Sequence, residues 1–534
     1  MFIIKSRKRA LGLDEPIKHG SHKRPVTRRD FLAQGFVTGS ATVVAPSILG
    51  MLMNPRTASA LSSDIDLLAK GVCNITSGAG KVPFICFDLA GGANVAGSNV
   101  LVGQTGGQMD FLSTQGYSKL GLPGDMLPNN ATTNFVNVEL GLAFHSDSAF
   151  LRGILSKTST TTRANVNGAV IPARSENDTG NNPHNPMYGI AKAGSKGELL
   201  TLIGSQNSDS GGNSMAPAML MDPANRPTKV DRNSDVTGLV DTGELGTLFK
   251  DPRDTVAVME AITRISNDKL LLVNTGLAGG GTATDASVKD QVRCGYVKTA
   301  DTVEKFSSPA ELDPSQDPDI TGAAGIFGPG FGNDREFEKT AAVMKLVVQG
   351  YAGAGTISMG GFDYHTGDRM TGEGRDFRAG QAMGACLEFA ARRGKPLMLY
   401  VFSDGSLSSN GMVDSSTGGR GKGVWTGDNQ QTAAAFFLVY NPTGRPTLLN
   451  EAGIPTARRQ QLGYFRRDGD VETAGSPAAN NVNLLVQTVV LNYLALHEDA
   501  PNLASVIPGH GLGNIDSQRS MIAFNKIVNG KIGG

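Results

Sequence analysis

Thr356-Ile357-Ser358-Met359-Gly360-Gly361-Phe362-Asp363-Tyr364-His365 is a short apolar run that breaks at two glycines and then delivers an aspartate and a histidine. It lies between two stretches with apolar residues at helical spacing, 335–351 and 378–393. The second stretch leads into another apolar run, Leu397-Met398-Leu399-Tyr400-Val401-Phe402, which ends at Ser403-Asp404-Gly405. Helix, strand, helix, strand in succession requires crossover connections, and these build a mostly parallel sheet with helices on both faces. Upstream, Val82-Pro83-Phe84-Ile85-Cys86-Phe87-Asp88-Leu89, with Gly91-Gly92 just beyond, reads as a buried strand entering a tight loop. Further out, the pattern predicts a helix over 253–265, a strand over 269–273, another apolar run over 433–440 and a late helix over 482–497. Between about 95 and 250, Gly, Asn, Ser and Thr dominate, which predicts long loops and short strands.

Charge divides unevenly along the 534 residues, although 49 Lys and Arg balance 49 Asp and Glu overall. Residues 1–60 hold ten basic and three acidic side chains, a balance of +7, so 61–534 carries −7. A mildly acidic body lacks the basic footprint that phosphate-backbone binding needs, which argues against a nucleic-acid partner. At 39% hydrophobic and 18% charged, it is neither a disordered nor a fibrous composition. The basic excess precedes Thr27-Arg28-Arg29-Asp30-Phe31-Leu32-Ala33, a weakly apolar stretch over 36–53 and Ala58-Ser59-Ala60. This resembles a twin-arginine signal peptide over 1–60 with an A-x-A cleavage site, implying the twin-arginine export machinery as partner and a periplasmic or secreted mature protein. Gly39, Ser40, Pro46, Ser47 and Gly50 interrupt the apolar stretch, so no transmembrane anchor is expected after cleavage. Four cysteines remain, an even number that permits disulfides, and none is spaced as a CxxC pair. Cys86 in an apolar run and Cys386 in a helical stretch read as buried thiols.

Ligands in open α/β sheets sit beyond the carboxyl ends of the strands, and that rule selects a few residues. Asp363 and His365 follow a strand at spacing two, so both side chains leave one face of an extended chain. Such a pair either shares a divalent metal ion, through hard oxygen and imidazole nitrogen, or forms a salt bridge. Asp404 ends the next strand, Asp428 follows on a later loop, and Asp88 and Asn94 flank the first glycine loop. His145 and His184 are further site candidates, whereas His497 in the late helix reads as a surface or capping histidine. Ser98 is the hydroxyl nearest the glycine loop, but a serine among Gly and Asn is usually a turn residue, so no nucleophile is assigned.

Gly91-Gly92-Ala93-Asn94, Gly360-Gly361-Phe362-Asp363-Tyr364-His365 and Ser403-Asp404-Gly405-Ser406 together resemble a family of twin-arginine-exported bacterial proteins of unknown function, related to the alkaline phosphatase and sulfatase superfamily. Its members read as a GGxD loop, a GGWDTH strand end, an SEFGR strand end and a later TDHG. The resemblance implies a single alkaline phosphatase-like α/β domain over 61–534 with a loop-rich insertion at about 95–250. It also implies a metal-dependent hydrolase of phosphate or sulfate esters, with Asp363, His365, Asp404 and Asp428 as ligands of one divalent ion, zinc, calcium or magnesium. Asn94 stands where the family has Asp, Asp404 replaces Glu, and the Asp-His pair of the last motif is Asp428-Asn429. A two-metal site needs more ligands than this partial set supplies, so one ion or none is expected. The alternative is a non-catalytic exported protein that keeps the fold to bind a partner at the cell surface.

Overall fold

The computed structural model describes residues 61–73, 80–128, 134–175, 182–240, 252–275, 284–306 and 309–532; the leader expected over 1–60 lies outside the described residues. The described residues group into two compact units, one drawn from 61–73, 240, 252–275 and 284–306 and the other from 80–128, 134–175, 182–239 and 309–532.

In the smaller unit, the described residues form helices Ser63–Lys70, Pro252–Leu271 and Asp285–Lys305. The last begins with a capping box in which Thr284 accepts from the Ser287 amide and Ser287 accepts from the Thr284 amide. Leu61, Ile65, Ala69, Met259, Val297, Ala300 and Val303 make its apolar core. Cys73 and Cys294 are joined by a disulfide across a sequence separation of 221. The bond is consistent with a protein that matures outside a reducing cytosol. The strand expected over 269–273 is not formed, because Lys269–Leu271 completes the preceding helix. Leucine is a good helix former, and a helix already under way gains a backbone hydrogen bond with each added residue.

The larger unit has eleven strands among its described residues: β1 (Phe84–Leu89), β2 (Val136–Asn137), β3 (Phe144–His145), β4 (Val166–Pro172), β5 (Leu200–Gly204), β6 (Thr228–Lys229), β7 (Ala352–Met359), β8 (Leu397–Phe402), β9 (Leu407–Asp414), β10 (Lys422–Asp428) and β11 (Ala434–Tyr440). Seven of them make the central sheet in the order β4-β11-β8-β1-β7-β5-β6. β1 runs parallel to both β7 and β8, and β5 runs parallel to β7 and β6; β11 alone opposes its neighbours. This is the mostly parallel α/β sheet that the helix–strand alternation predicts.

Alternate residues of β1 serve opposite faces. Phe84 and Cys86 join Met398, Tyr400, Phe437, Val486, Val489, Val490 and Tyr493 in one core under helix Val482–Ala495. Opposite Ile85 in the register is Gly355, where a methyl group would collide with Val343 and Val347 of helix Arg335–Val348. That glycine lets the helix sit close on the second face. Ile85 is fully buried, so Ile85→Asp would place an unpaired carboxylate in the core. Loss of soluble expression is expected, and a soluble variant with an unchanged melting temperature would contradict it. No helix of the described residues is long and apolar enough to cross a membrane.

Candidate functional site

The carboxyl ends of β1, β7 and β8 lie side by side because the three strands are parallel neighbours. Their exit loops therefore interlock. Gly91, with φ +118°, lies so close to the following β7 loop that a Cβ there would come within 2.9 Å of the Asp363 nitrogen. From Phe362 to His365 the side chains alternate. Phe362 and Tyr364 are 1% exposed, while Asp363 and His365 turn outward. Tyr364 fixes this alternation, since its hydroxyl donates to Asp376 at 2.8 Å and accepts from the Asn94 amide at 3.1 Å.

Asp428 reaches the same place by a longer route. β9 leaves the sheet edge after β8, and β10 returns antiparallel to it, placing Asp428 opposite Leu407. The hairpin is stitched to the β7 loop by Gly367 N donating to Trp425 O and Trp425 N donating to Asp368 O. As a result, one ligand atom each from Asp363, His365 and Asp428 lies within 4.8 Å of the others. His365 Nε2 is 2.8 Å from Asp363 Oδ1 and 3.6 Å from Asp428 Oδ1. Two carboxylate oxygens and one imidazole nitrogen are a donor set suited to a divalent ion, and their partial exposure leaves coordination positions open to solvent.

The other sequence candidates are not in this group. Asp404 is 2% exposed, and its Oδ1 accepts from Gly91 N at 2.7 Å, which ties the β8 loop to the β1 loop. Asp88 is fully buried and accepts from Asn213 N, Ser214 N and Ser214 Oγ at 2.7–2.8 Å. Burial pushes its carboxyl up to about 6 despite those hydrogen bonds, and the charge of Asp404 adds to the rise. Asn94 is buried and donates to Leu407 O. Ser98 is buried as well, donating to Asn94 and accepting from Arg369, so it is not an open nucleophile. His145 donates from Nε2 to Met126 O and stacks on Phe135, and burial holds it down to about 4. His184 stacks on Phe402 and meets Ser175 Oγ at 3.1 Å, with burial holding it down to about 3. His497 is not a surface residue. It is 1% exposed and accepts from Val82 N at the entry to β1. Cys86 and Cys386 are buried free thiols, as their apolar surroundings in sequence predict.

Sequence reasoning missed what holds the hairpin in place. Glu373 accepts from Arg369, Lys422 and Arg152, and Lys422 also pairs with Asp147. Lys422 is 0% exposed and Arg369 1%, the latter's Cζ lying over the Trp425 ring, 4.4 Å from its centroid. The spacing of Arg369 and Glu373, four apart at the start of helix Met370–Arg392, was the one readable signal. Lys422 comes from a different element, and no spacing announces it.

Compared with known protein families, curated proteins and solved structures, the chain matches none.

Proposed function

We propose that this is an exported, metal-assisted hydrolase of phosphate or sulfate esters, with Asp363, His365 and Asp428 holding a single divalent ion at the carboxyl edge of the sheet. The observation that carries this reading is the convergence of those three side chains from two separate elements. A metal held there would supply Lewis-acid polarisation of the ester oxygen and a more acidic bound water. The chain's own part is positional. Tyr364 anchors the loop from below so that its neighbours face outward together, and the hairpin brings the second carboxylate.

Asp88 and Asp404 are occupied with backbone amides, which favours one ion over two. The same observation supports a second reading, a non-catalytic binding protein that retains the fold. Melting curves separate the two. Added Zn²⁺, Ca²⁺ or Mg²⁺ is expected to stabilise the wild type, by about 2.7 kcal/mol at a hundredfold excess over Kd, with EDTA reversing the gain. His365→Ala is expected to lose this response. Identical melting temperatures for both proteins in every condition would favour the non-catalytic reading.

A further inference from the structure

Residues 515–526 fold back over helix Val482–Ala495 and leave a cavity of about 580 Å³ beside it, open to solvent on one side. Leu491 and Ala495, four apart and so on one face of the helix, line it together with Leu449, Ile522 and Phe524. Ile515, 51% exposed, carries the apolar lining out to the mouth. The amide donors in the wall are already engaged: Gln518 donates to Gly513 O, and Asn525 to Thr447 Oγ1 and Leu448 O. Phe524 is 2% exposed, so it presents no ring face for stacking. An interior of this kind suits an aliphatic body and offers little to a sugar, a peptide backbone or an aromatic ring.

Charge collects at the rim. The Arg519 side chain is 58% exposed, and the carboxylate it pairs with, Glu451 at 3.5 Å, is held more closely by Arg459 at 3.0 Å. Lys526 pairs with Glu498. Two cations and one carboxylate therefore line the cavity, which favours an anionic head group. Glu498 stands just past the helix at φ +63°, its amide donating to Ala495 O. Glycine takes such a position without strain, and an exposed ion pair returns little stability against that strain. What the glutamate does supply is a fixed position for Lys526 at the mouth.

We propose that this cavity binds an unbranched aliphatic carboxylate, its chain lying along Leu449, Leu491, Ile522 and Phe524 and its carboxylate meeting Arg519 at the mouth, with Lys526 beside it. The site shares no residue with the Asp363, His365 and Asp428 cluster and does not depend on the metal reading.

Hexanoate, octanoate and decanoate are titrated calorimetrically into the full chain treated with EDTA, so that no ion at Asp363 takes up the carboxylate. Affinity is expected to rise by up to about fourfold for each added methylene, the gain from burying one CH₂. Octanol, which keeps the chain and loses the charge, is expected to bind about 10-fold more weakly than octanoate. Arg519→Gln should weaken octanoate by a similar factor and leave octanol and the melting temperature unchanged, since the side chain is exposed. Ile515→Ser should weaken octanoate and octanol alike. Absence of decanoate binding, or equal affinity across the three chain lengths, would overturn the site. Equal octanoate affinity in wild type and Arg519→Gln would overturn the placement of the carboxylate. Tighter binding of 4-phenylbutyrate than of decanoate would overturn the aliphatic assignment in favour of an aromatic one.

Discussion

Glu373→Ala is expected to lower the stability of the larger unit by about 3–5 kcal/mol, the usual cost of breaking a buried ion pair from one side. Glu373 is the carboxylate on which three cations converge: Arg369 Nη2 at 3.0 Å, Lys422 Nζ at 2.8 Å and Arg152 Nη2 at 2.5 Å. Burial alone would raise its carboxyl, but Arg369 and Lys422 outweigh that and hold it below the usual glutamate range. Without it, Lys422 keeps Asp147, while Arg369 keeps only Ser98 Oγ, Gly423 O and the Trp425 face. A guanidinium 1% exposed then lacks a counter-charge. The sign with pH follows from the lowered value. A depressed carboxyl stabilises above its unfolded value of 4.5, and that contribution fades as the pH falls through the folded value. The gap between wild type and variant in urea midpoint should therefore be widest near neutral pH and narrow in acid. A neutral-pH loss under 1 kcal/mol would show that the cations do not depend on Glu373.

Breaking the Cys73–Cys294 bond is expected to cost the smaller unit up to about 5 kcal/mol, since the entropy a crosslink removes from the unfolded chain grows with the loop it closes, and this loop is very long. Helix Ser63–Lys70 has eight residues, too few to persist alone in water, and the bond anchors the chain three residues beyond its end. Cys73→Ser with Cys294→Ser, or added dithiothreitol, should lower the unfolding midpoint and make residues 61–73 a site of early proteolysis. Cys86 and Cys386 are buried and do not complicate the comparison. An unchanged midpoint under reduction would contradict the expectation.

The sheet was legible because β1, β7 and β8 are fully buried strands whose apolar runs end at glycine-bearing exits. The placement of Asp363 and His365 was legible for a related reason: spacing two in an extended segment fixes which residues share a side. Asp404 and Asp88 show the limit. A carboxylate at a strand end reads the same whether it faces a ligand or caps a neighbouring amide, and the partners here, Gly91 and Ser214, lie more than a hundred residues away. His145 and His184 were ambiguous for want of the same knowledge, because burial is a property of the folded surroundings. The early start of helix Met370–Arg392 was masked by Gly372 and Gly374, which weaken the helical pattern.

The chain contains a single tryptophan, and it is Trp425, whose backbone joins the β10 hairpin to the β7 loop and whose indole lies beneath Arg369. Intrinsic fluorescence of the whole protein excited in the indole band is therefore a one-site spectrum. Its emission maximum reports whether water has reached the underside of that hairpin, and its intensity responds to any shift of the guanidinium stacked on the ring. With no second indole to blur the signal, the strand that carries Asp428 can be followed optically, without a label.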